Sequence, residues 1–492
     1  MRFASGGSAV GRTVAAWAAS VAVLAAVLWP QASSAIPLFN RQTGQNCVAC
    51  HAGGQFPELT PYGRLFKMTG YTLGERTLPV SAMAVATYSK VANTSKSDDP
   101  KTDFSKNESL IFATASLFLG GKVTDNIGAF AQVTYDPYVL GDDGSYHGHT
   151  NADNIDLRYA DRFVDANRDL IVGVSVNNNP SVSDPWNTAA AWMQYVPVPS
   201  PTSYQFVDGN APFPGYASDG NIAGITAYAF WNRMIYGELG LYRTSRGALS
   251  FMSAGVANAD NTKLQGSNPY WRLAWNHEWG AHSLMLGTAG MVARIYDDPL
   301  DTSDPASLHH VRDWSVDAQY QYLLDPHALT AQVVYANRHE TFPNALANQA
   351  VPFVDAAGNA LAPTNAADTT RVFRAKLSYV YQAHYGGSLA YFNLSGSTDT
   401  ALLSSGYDPG TLTITSDPTA GAPSTRVSGN FTGSPATRGT TYELFWTPLQ
   451  YLRVGAQYTA YTRFNGASQN YDGLGRNARD NNTLFLYAWG AY

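Results

Sequence analysis

A period-two alternation of apolar and polar residues recurs from about Ser81 to the C-terminus and is nowhere replaced by a long apolar run. In Ile127, Ala129, Ala131, Val133 and Tyr135 one face is apolar, while Gln132, Thr134 and Asp136 fill the other. Trp314, Val316, Ala318, Tyr320 and Tyr322 alternate with Asp317, Gln319 and Gln321, and Leu452, Val454, Ala456, Tyr458 and Ala460 with Arg453, Gln457 and Thr459. Such stretches read as β-strands with one face in an apolar medium and one in a polar medium. A soluble β-sandwich also alternates, so the connections have to decide.

The connections alternate between short and long. About 16 strands are predicted, starting near residues 81, 108, 122, 153, 168, 221, 234, 269, 282, 312, 327, 370, 384, 437, 451 and 482. Tight turns are expected at Thr124-Asp125-Asn126, Asp165-Ala166-Asn167, Trp231-Asn232-Arg233, Trp279-Gly280, Asp325-Pro326-His327 and Thr447-Pro448. Long loops are expected over 177–220, 245–268, 338–369 and 396–436. Short turns on one side and long loops on the other are the layout of an outer-membrane barrel, and an even strand count returns the C-terminus to the side where strand one begins. Charged residues make up only 14% of the chain, aromatics 13%, and tyrosine alone numbers 30, as expected where aromatic girdles meet lipid headgroups. The last stretch, Leu484 to Tyr492, places Leu484, Leu486, Ala488, Gly490 and Tyr492 on one face and ends on an aromatic. That ending resembles the terminal strand read by the outer-membrane assembly machinery. A net charge of −6 gives no sign of nucleic-acid binding.

The start of the chain reads as an export signal, with Arg2 and Arg12, an apolar run from Val14 to Leu28, and small residues ending at Ala35. Roughly 15 apolar residues fall short of the 20 or so that span a bilayer. The expected division is therefore 1–35 as a cleaved signal peptide, 36–78 as a separate segment and 79–492 as the barrel.

The segment 36–78 holds both cysteines of the chain, in Cys47-Val-Ala-Cys50-His51. C-x-x-C-H is the pattern for covalent haem attachment: two thiols add to the two haem vinyl groups, and the adjacent imidazole becomes the proximal iron ligand. No second cysteine pair completes a four-sulfur zinc site, no βαβ pattern suggests a thioredoxin-like site, and the segment is exported, as haem c attachment requires. The expected cofactor is one covalently attached haem c, with Cys47 and Cys50 binding it and His51 on the iron. Met68, seventeen positions after His51, is the candidate distal ligand, although a methionine between Phe66 and Tyr71 can equally pack on the porphyrin. Met83 is a poorer candidate because it falls in the first barrel strand. A short helix is expected within Glu58 to Met68, with Pro61 in its first turn and Gly70 after its end.

A segment of roughly 43 residues rarely makes its own core, and a barrel of about 16 strands has a lumen to fill. The fold expected is therefore all-β, a transmembrane outer-membrane β-barrel of about 16 strands, with a short, mainly helical or irregular monohaem cytochrome c segment plugging its lumen or its periplasmic mouth. There a haem could relay electrons between an extracellular donor and a periplasmic acceptor.

The residues Ile36-Pro37-Leu38-Phe39-Asn40-Arg41-Gln42-Thr43-Gly44, the haem motif, Gly53-Gly54, Phe56 to Arg64 and Phe66-Lys67 resemble the fused monohaem c-type cytochrome–porins, an outer-membrane iron(II) oxidase family of iron-oxidising bacteria. The match covers about 40 residues and extends to the barrel only in layout. The resemblance implies an oxidoreductase that oxidises extracellular ferrous iron and passes the electron inward to a periplasmic c-type cytochrome or blue-copper protein. It carries over Cys47, Cys50 and His51 and leaves Met68 open. Candidate iron contacts are Asp98, Asp99, Asp142, Asp143, His147 and His149, since carboxylate and imidazole suit ferrous iron; ordinary solvated loop residues are the competing reading. The rival functions are outward electron transfer to an extracellular acceptor, a porin with a structural or regulatory cytochrome plug, and a peroxidase, which needs an open distal site and a distal acid–base group.

Overall fold

Exposed apolar residues alternate along the strands with buried residues that face a filled lumen, because lipid lies outside. On the strand Leu308–Leu324, Trp314 and Val316 are exposed, while Asp313, Ser315, Asp317, Gln319 and Gln321 are buried within the lumen. A computed structural model of the chain describes residues 37–54, 58–96, 107–140, 146–188, 222–253, 263–296, 302–303, 308–342, 354–355, 365–399, 403, 407–408, 413–414, 427 and 429–492. The signal segment 1–35 and Asp98, Asp99, Asp142 and Asp143 lie outside the described residues.

Sixteen antiparallel strands close into one barrel. In chain order they are β1 Val80–Val91, β2 Leu110–Lys122, β3 Ile127–Leu140, β4 Tyr146–Asp165, β5 Arg168–Asn177, β6 Ile222–Trp231, β7 Ile235–Thr244 and β8 Asn268–Trp279. They continue as β9 His282–Tyr296, β10 Leu308–Leu324, β11 His327–Thr341, β12 Ala367–Tyr381, β13 Tyr385–Gly396, β14 Thr437–Leu449, β15 Leu452–Arg463 and β16 Thr483–Ala491. Closure is made by β1 on β16, in register from Met83 opposite Ala491 to Val91 opposite Thr483. A closed barrel leaves no sheet edge unpaired, the condition for crossing a bilayer with strands. Its outer surface carries a belt of exposed apolar side chains, among them Leu117, Leu239, Leu273, Leu286 and Leu444. No helix among the described residues is long and apolar enough to cross a membrane.

Strand number and the alternation of turns follow the sequence expectation, with local corrections. The third strand starts at Ile127 rather than near 122, because Gly120, Gly121 and Lys122 still pair with Phe130, Ala129 and Gly128 as the end of β2. The fourth starts at Tyr146 rather than near 153, so His147 and His149 lie on a strand and not in a loop. Thr447-Pro448 is not the reversal before β15; it lies inside β14, which runs to Leu449. Proline has no amide to give a ladder, and a register shift between Trp446 and Leu449 accommodates it. The chain turns instead at Gln450-Tyr451, and a further tight turn at Gln382-Ala383-His384 joins β12 to β13.

The short turns, the start of β1 and the end of β16 share one rim. In an outer-membrane barrel that rim is periplasmic. The segment before β1 folds into the lumen at this end as three short helices: α1 Pro37–Thr43, α2 Cys47–Cys50 and α3 Pro61–Met68. The side chain of Thr60 caps α3 by accepting from the Gly63 amide at 3.1 Å, Pro61 opens the helix, and Gly70 follows it at φ 73°.

Candidate functional site

The thiols are brought together by the one-turn helix α2, in which positions i and i+3 share a face. Both cysteines are free of disulfide bonds. The helix is held from two sides. Thr60 donates its amide to the Cys50 carbonyl at 2.9 Å and its hydroxyl to the Ala49 carbonyl. Gly63, in the first turn of α3, lies so close that a Cβ there would overlap the Cys50 carbonyl oxygen. Toward the rim, the Cys47 thiol faces the carbonyl and side-chain oxygens of Gln450, 3.8 and 3.4 Å away in the turn between β14 and β15.

His51 ends α2, turns into extended backbone and pairs in a short antiparallel bridge with Leu59. Ala52 donates to Glu58 O at 2.8 Å, closing the loop that holds the imidazole. Burial pulls the His51 pKa down to about 4 against the opposing pull of the Glu58 carboxylate. At neutral pH the ring is therefore uncharged, which is the form that binds metals. Burial, followed by the effect of Cys47, pushes the Cys50 thiol up to about 11. Two thiols outside any disulfide on one helical face, followed at once by an imidazole, are the donor set that a c-type haem requires, so the residues present fit the group.

Met68 ends α3 and is 2% exposed. Its side chain packs in a cluster with Ile171, Trp186, Tyr228, Phe230, Tyr236, Ala274 and Met285, and its carbonyl accepts from the Tyr228 hydroxyl at 2.7 Å. It therefore lies at the end of α3 away from Gly63, the residue that touches Cys50. Met83 is on β1, where its sulfur accepts from the Trp489 indole at 3.2 Å. Of the candidate iron contacts, the described His147 and His149 are opposite Val139 and Asp136 on the β3–β4 ribbon. That ribbon end is remote in sequence from the short-turn rim at which the haem motif lies.

What the sequence did not point to is how the segment is fastened. Arg64, 2% exposed, donates to Leu59 O at 2.9 Å, Gln321 Oε1 at 2.9 Å, Gln319 Oε1 at 3.3 Å and Ser283 Oγ at 2.7 Å, with Glu278 at 3.7 Å. Glu58 pairs with Lys376 of β12 at 2.7 Å. The Tyr71 hydroxyl donates to Asp156 Oδ2 at 2.6 Å, which Arg158 also holds at 2.6 Å. Lys67 donates to Asp184 O at 2.7 Å and Asn187 Oδ1 at 3.1 Å, in the connection that follows β5 and folds back over the segment. An aromatic group, Phe39 with Phe66 at 4.9 Å and with Tyr71 at 5.5 Å, meets Phe130 of β3. These contacts reach β3, β4, β8, β9, β10 and β12, so the segment is inside the lumen and not merely at its mouth. The predicted inward faces contained the receiving residues Gln319 and Gln321, but nothing in a period-two pattern says what they receive.

No protein-family model and no curated protein sequence matches the chain. Among solved structures it is similar to OmpF of Salmonella typhi in complex with daunomycin, with TM-score 0.45, 9% identity, and 84% of this chain and 97% of that one covered. It is also similar to the outer membrane channel DcaP of Acinetobacter baumannii, with TM-score 0.41, 10% identity, and 84% and 96% covered. An anion-selective porin from Comamonas acidovorans gives TM-score 0.39 at 9% identity, with 84% and 98% covered. The barrel itself is established by its own closed strand ladder.

Proposed function

We propose that this is an outer-membrane electron-transfer protein, an iron(II) oxidase that takes electrons from extracellular ferrous iron and passes them through one covalently bound haem c to a periplasmic c-type cytochrome or blue-copper protein. The observation that carries the reading is the position of Cys47, Cys50 and His51: a complete C-x-x-C-H donor set inside a barrel lumen, at the rim of short turns. A bound haem would supply one-electron iron chemistry tuned by its axial ligands and surroundings.

The chain's own residues have definable parts in this. Cys47 and Cys50 would hold the group covalently, and His51, with a neutral imidazole, would bind its iron. Thr60 and Gly63 hold α2 against α3, and Met68 is the candidate second ligand, for which its side chain would have to leave the cluster it packs in. Lys376 and Arg64 hold the segment at its depth in the lumen, so that the donor reaches it from the long-loop side and the acceptor from the short-turn side. The overall change is one electron from Fe(II), giving Fe(III), to the acceptor, with no proton transferred.

A second reading, a porin-like channel with a structural plug, is favoured by one specific observation: the segment is fastened through several buried polar contacts rather than lying loosely in the lumen. Reduction potential separates the inward from the outward current, since accepting electrons from iron(II) at low pH requires a high value. The direct test is the visible spectrum of the purified protein during anaerobic addition of ferrous iron, with Cys50→Ala as control. Reduction of a c-type spectrum in the wild type supports the iron-oxidising reading. A haem that forms and stays oxidised at the organism's working pH overturns it in favour of outward transfer or a plugged porin.

A further inference from the structure

We infer that the outer wall of the barrel carries a binding site for the phosphodiester of an anionic phospholipid of the periplasmic leaflet, centred on His282. On β8, β9 and β10 the lipid-facing residues change in kind toward the short-turn rim. Leu286 and Val316 are exposed aliphatic side chains at mid-strand. Nearer the rim, Trp275, His277, Trp279 and His282 form one stack, with successive ring centroids 5.8, 5.2 and 5.2 Å apart and planes within 23° of each other. Tyr322 closes the stack at 5.0 Å from His282. Tryptophan and tyrosine at this level are what a headgroup interface selects. The imidazoles add hydrogen-bonding capacity at two points of each ring.

His282 Nδ1 and the Tyr320 hydroxyl share a hydrogen bond at 2.7 Å. An imidazole N–H and a phenol O–H bring two protons, and the shared bond uses one, so the pair keeps a donor to offer outward. At headgroup depth the acceptor available to it is a lipid phosphodiester oxygen. Every second residue from Leu273 to Trp279, from His282 to Leu286 and from Val316 to Leu324 faces lipid, and none of these is a lysine, arginine, aspartate or glutamate. No carboxylate of this patch therefore meets an ammonium group, and the donors select an anion. Glu278 belongs to the lumen side, where Arg233 holds it at 2.6 Å and Arg64 stands 3.7 Å away. The arrangement is built twice. His327 opens β11 as His282 opens β9; each lies opposite a tyrosine, Tyr381 or Tyr322, and bonds the hydroxyl of the tyrosine two residues before it, Tyr379 or Tyr320, at 2.7 Å. The second copy has no tryptophan stacked on it among the described residues, and the exposed carboxylate of Asp325 lies two positions before its histidine. A nearby carboxylate repels a phosphate, so the His282 copy is the stronger site.

The test is native mass spectrometry of the detergent-purified full-length protein after addition of phosphatidylglycerol or of phosphatidylethanolamine with the same acyl chains. The wild type is expected to retain phosphatidylglycerol in preference to phosphatidylethanolamine. His282→Phe keeps a ring in the stack and removes the donor pair, and is expected to lower phosphatidylglycerol retention about tenfold, the effect of losing a hydrogen bond to a charged group. His327→Phe is expected to lower it by less than about threefold, since its site is opposed by Asp325. Tyr320→Phe, which leaves the imidazole in place, serves if His282→Phe fails to assemble, and is expected to lower retention as well. Equal retention of the two lipids by the wild type, unchanged retention in His282→Phe, or a larger loss in His327→Phe than in His282→Phe overturns the inference. The site lies on the lipid-facing side of the wall, so haem incorporation in His282→Phe is expected to match the wild type. These outcomes are read without ferrous iron, whose failure to reduce the haem would refute the iron-oxidising reading instead.

Discussion

At the residue scale, two glycines show how close the segment's packing is. Gly63 lies on the Cys50 carbonyl and Gly128 of β3 on the Gly70 carbonyl, and at both positions a Cβ would overlap the oxygen. Gly63→Val is expected to push α3 off α2 and reduce haem incorporation, measured as the ratio of haem absorbance to protein, whereas Gly237→Ala, on β7 with open space at its Cβ, leaves that ratio high. Met68 makes a different prediction. Its side chain fills a cluster shared with five strands, so Met68→Ala leaves a cavity costing about 2–5 kcal/mol. The measurable outcome is faster proteolytic release of the segment from an intact barrel. Of these residues, only Cys47, Cys50 and His51 declare their chemistry in the sequence, because spacing alone defines the motif. The importance of Gly63 comes from a contact with Cys50 that no local pattern encodes.

At the element scale, α3 is both the lid of the haem motif and the main fastening of the segment. Its extent was legible, since Pro61 in the first turn and Gly70 after the end are local signals of a helix's start and stop. Its partners were not, because Arg64 meets residues of β8, β9 and β10 more than two hundred positions away. Removing the guanidinium leaves Gln319, Gln321 and Ser283 without its donors, while Glu278 keeps Arg233 and the Leu59 carbonyl keeps the Gln321 amide. Arg64→Ala is therefore expected to weaken the docking of the segment by about 1–3 kcal/mol. Hydrogen exchange should detect this as loss of protection in α3 with the barrel strands unchanged; unchanged protection in α3 would show that the Arg64 contacts do not hold it. The strand pattern was legible almost throughout, since lipid and lumen impose alternation residue by residue. It misplaced the β14–β15 reversal because Pro448, a turn signal by itself, is tolerated inside a strand at a register shift.

At the scale of the whole molecule, a barrel of sixteen strands would enclose an aqueous channel if empty. Here the lumen holds the haem-motif segment at the short-turn end, with the connection after β5 folded onto it through Lys67 and Arg158. The protein should therefore show little steady conductance in planar bilayers, and the value should not change when the haem is reduced or oxidised. A large steady conductance at either redox state would favour the channel reading. Closure, strand number and the return of the C-terminus to the rim where β1 begins could be foreseen from alternation and loop length. The depth of the segment could not, because it depends on pairs such as Glu58 with Lys376 that connect its two parts across the sequence.

The central claim is that electrons cross the membrane through this chain, and it is tested most directly in sealed vesicles carrying the barrel with its long loops outward and a soluble c-type cytochrome trapped inside. Ferrous iron held in a membrane-impermeant chelate is added outside without oxygen, and the absorbance of the trapped cytochrome is followed. The account predicts reduction of the internal cytochrome with wild-type protein and none with Cys50→Ala. Reduction at the same rate in both, or in neither while the wild-type haem is itself reduced, would contradict it.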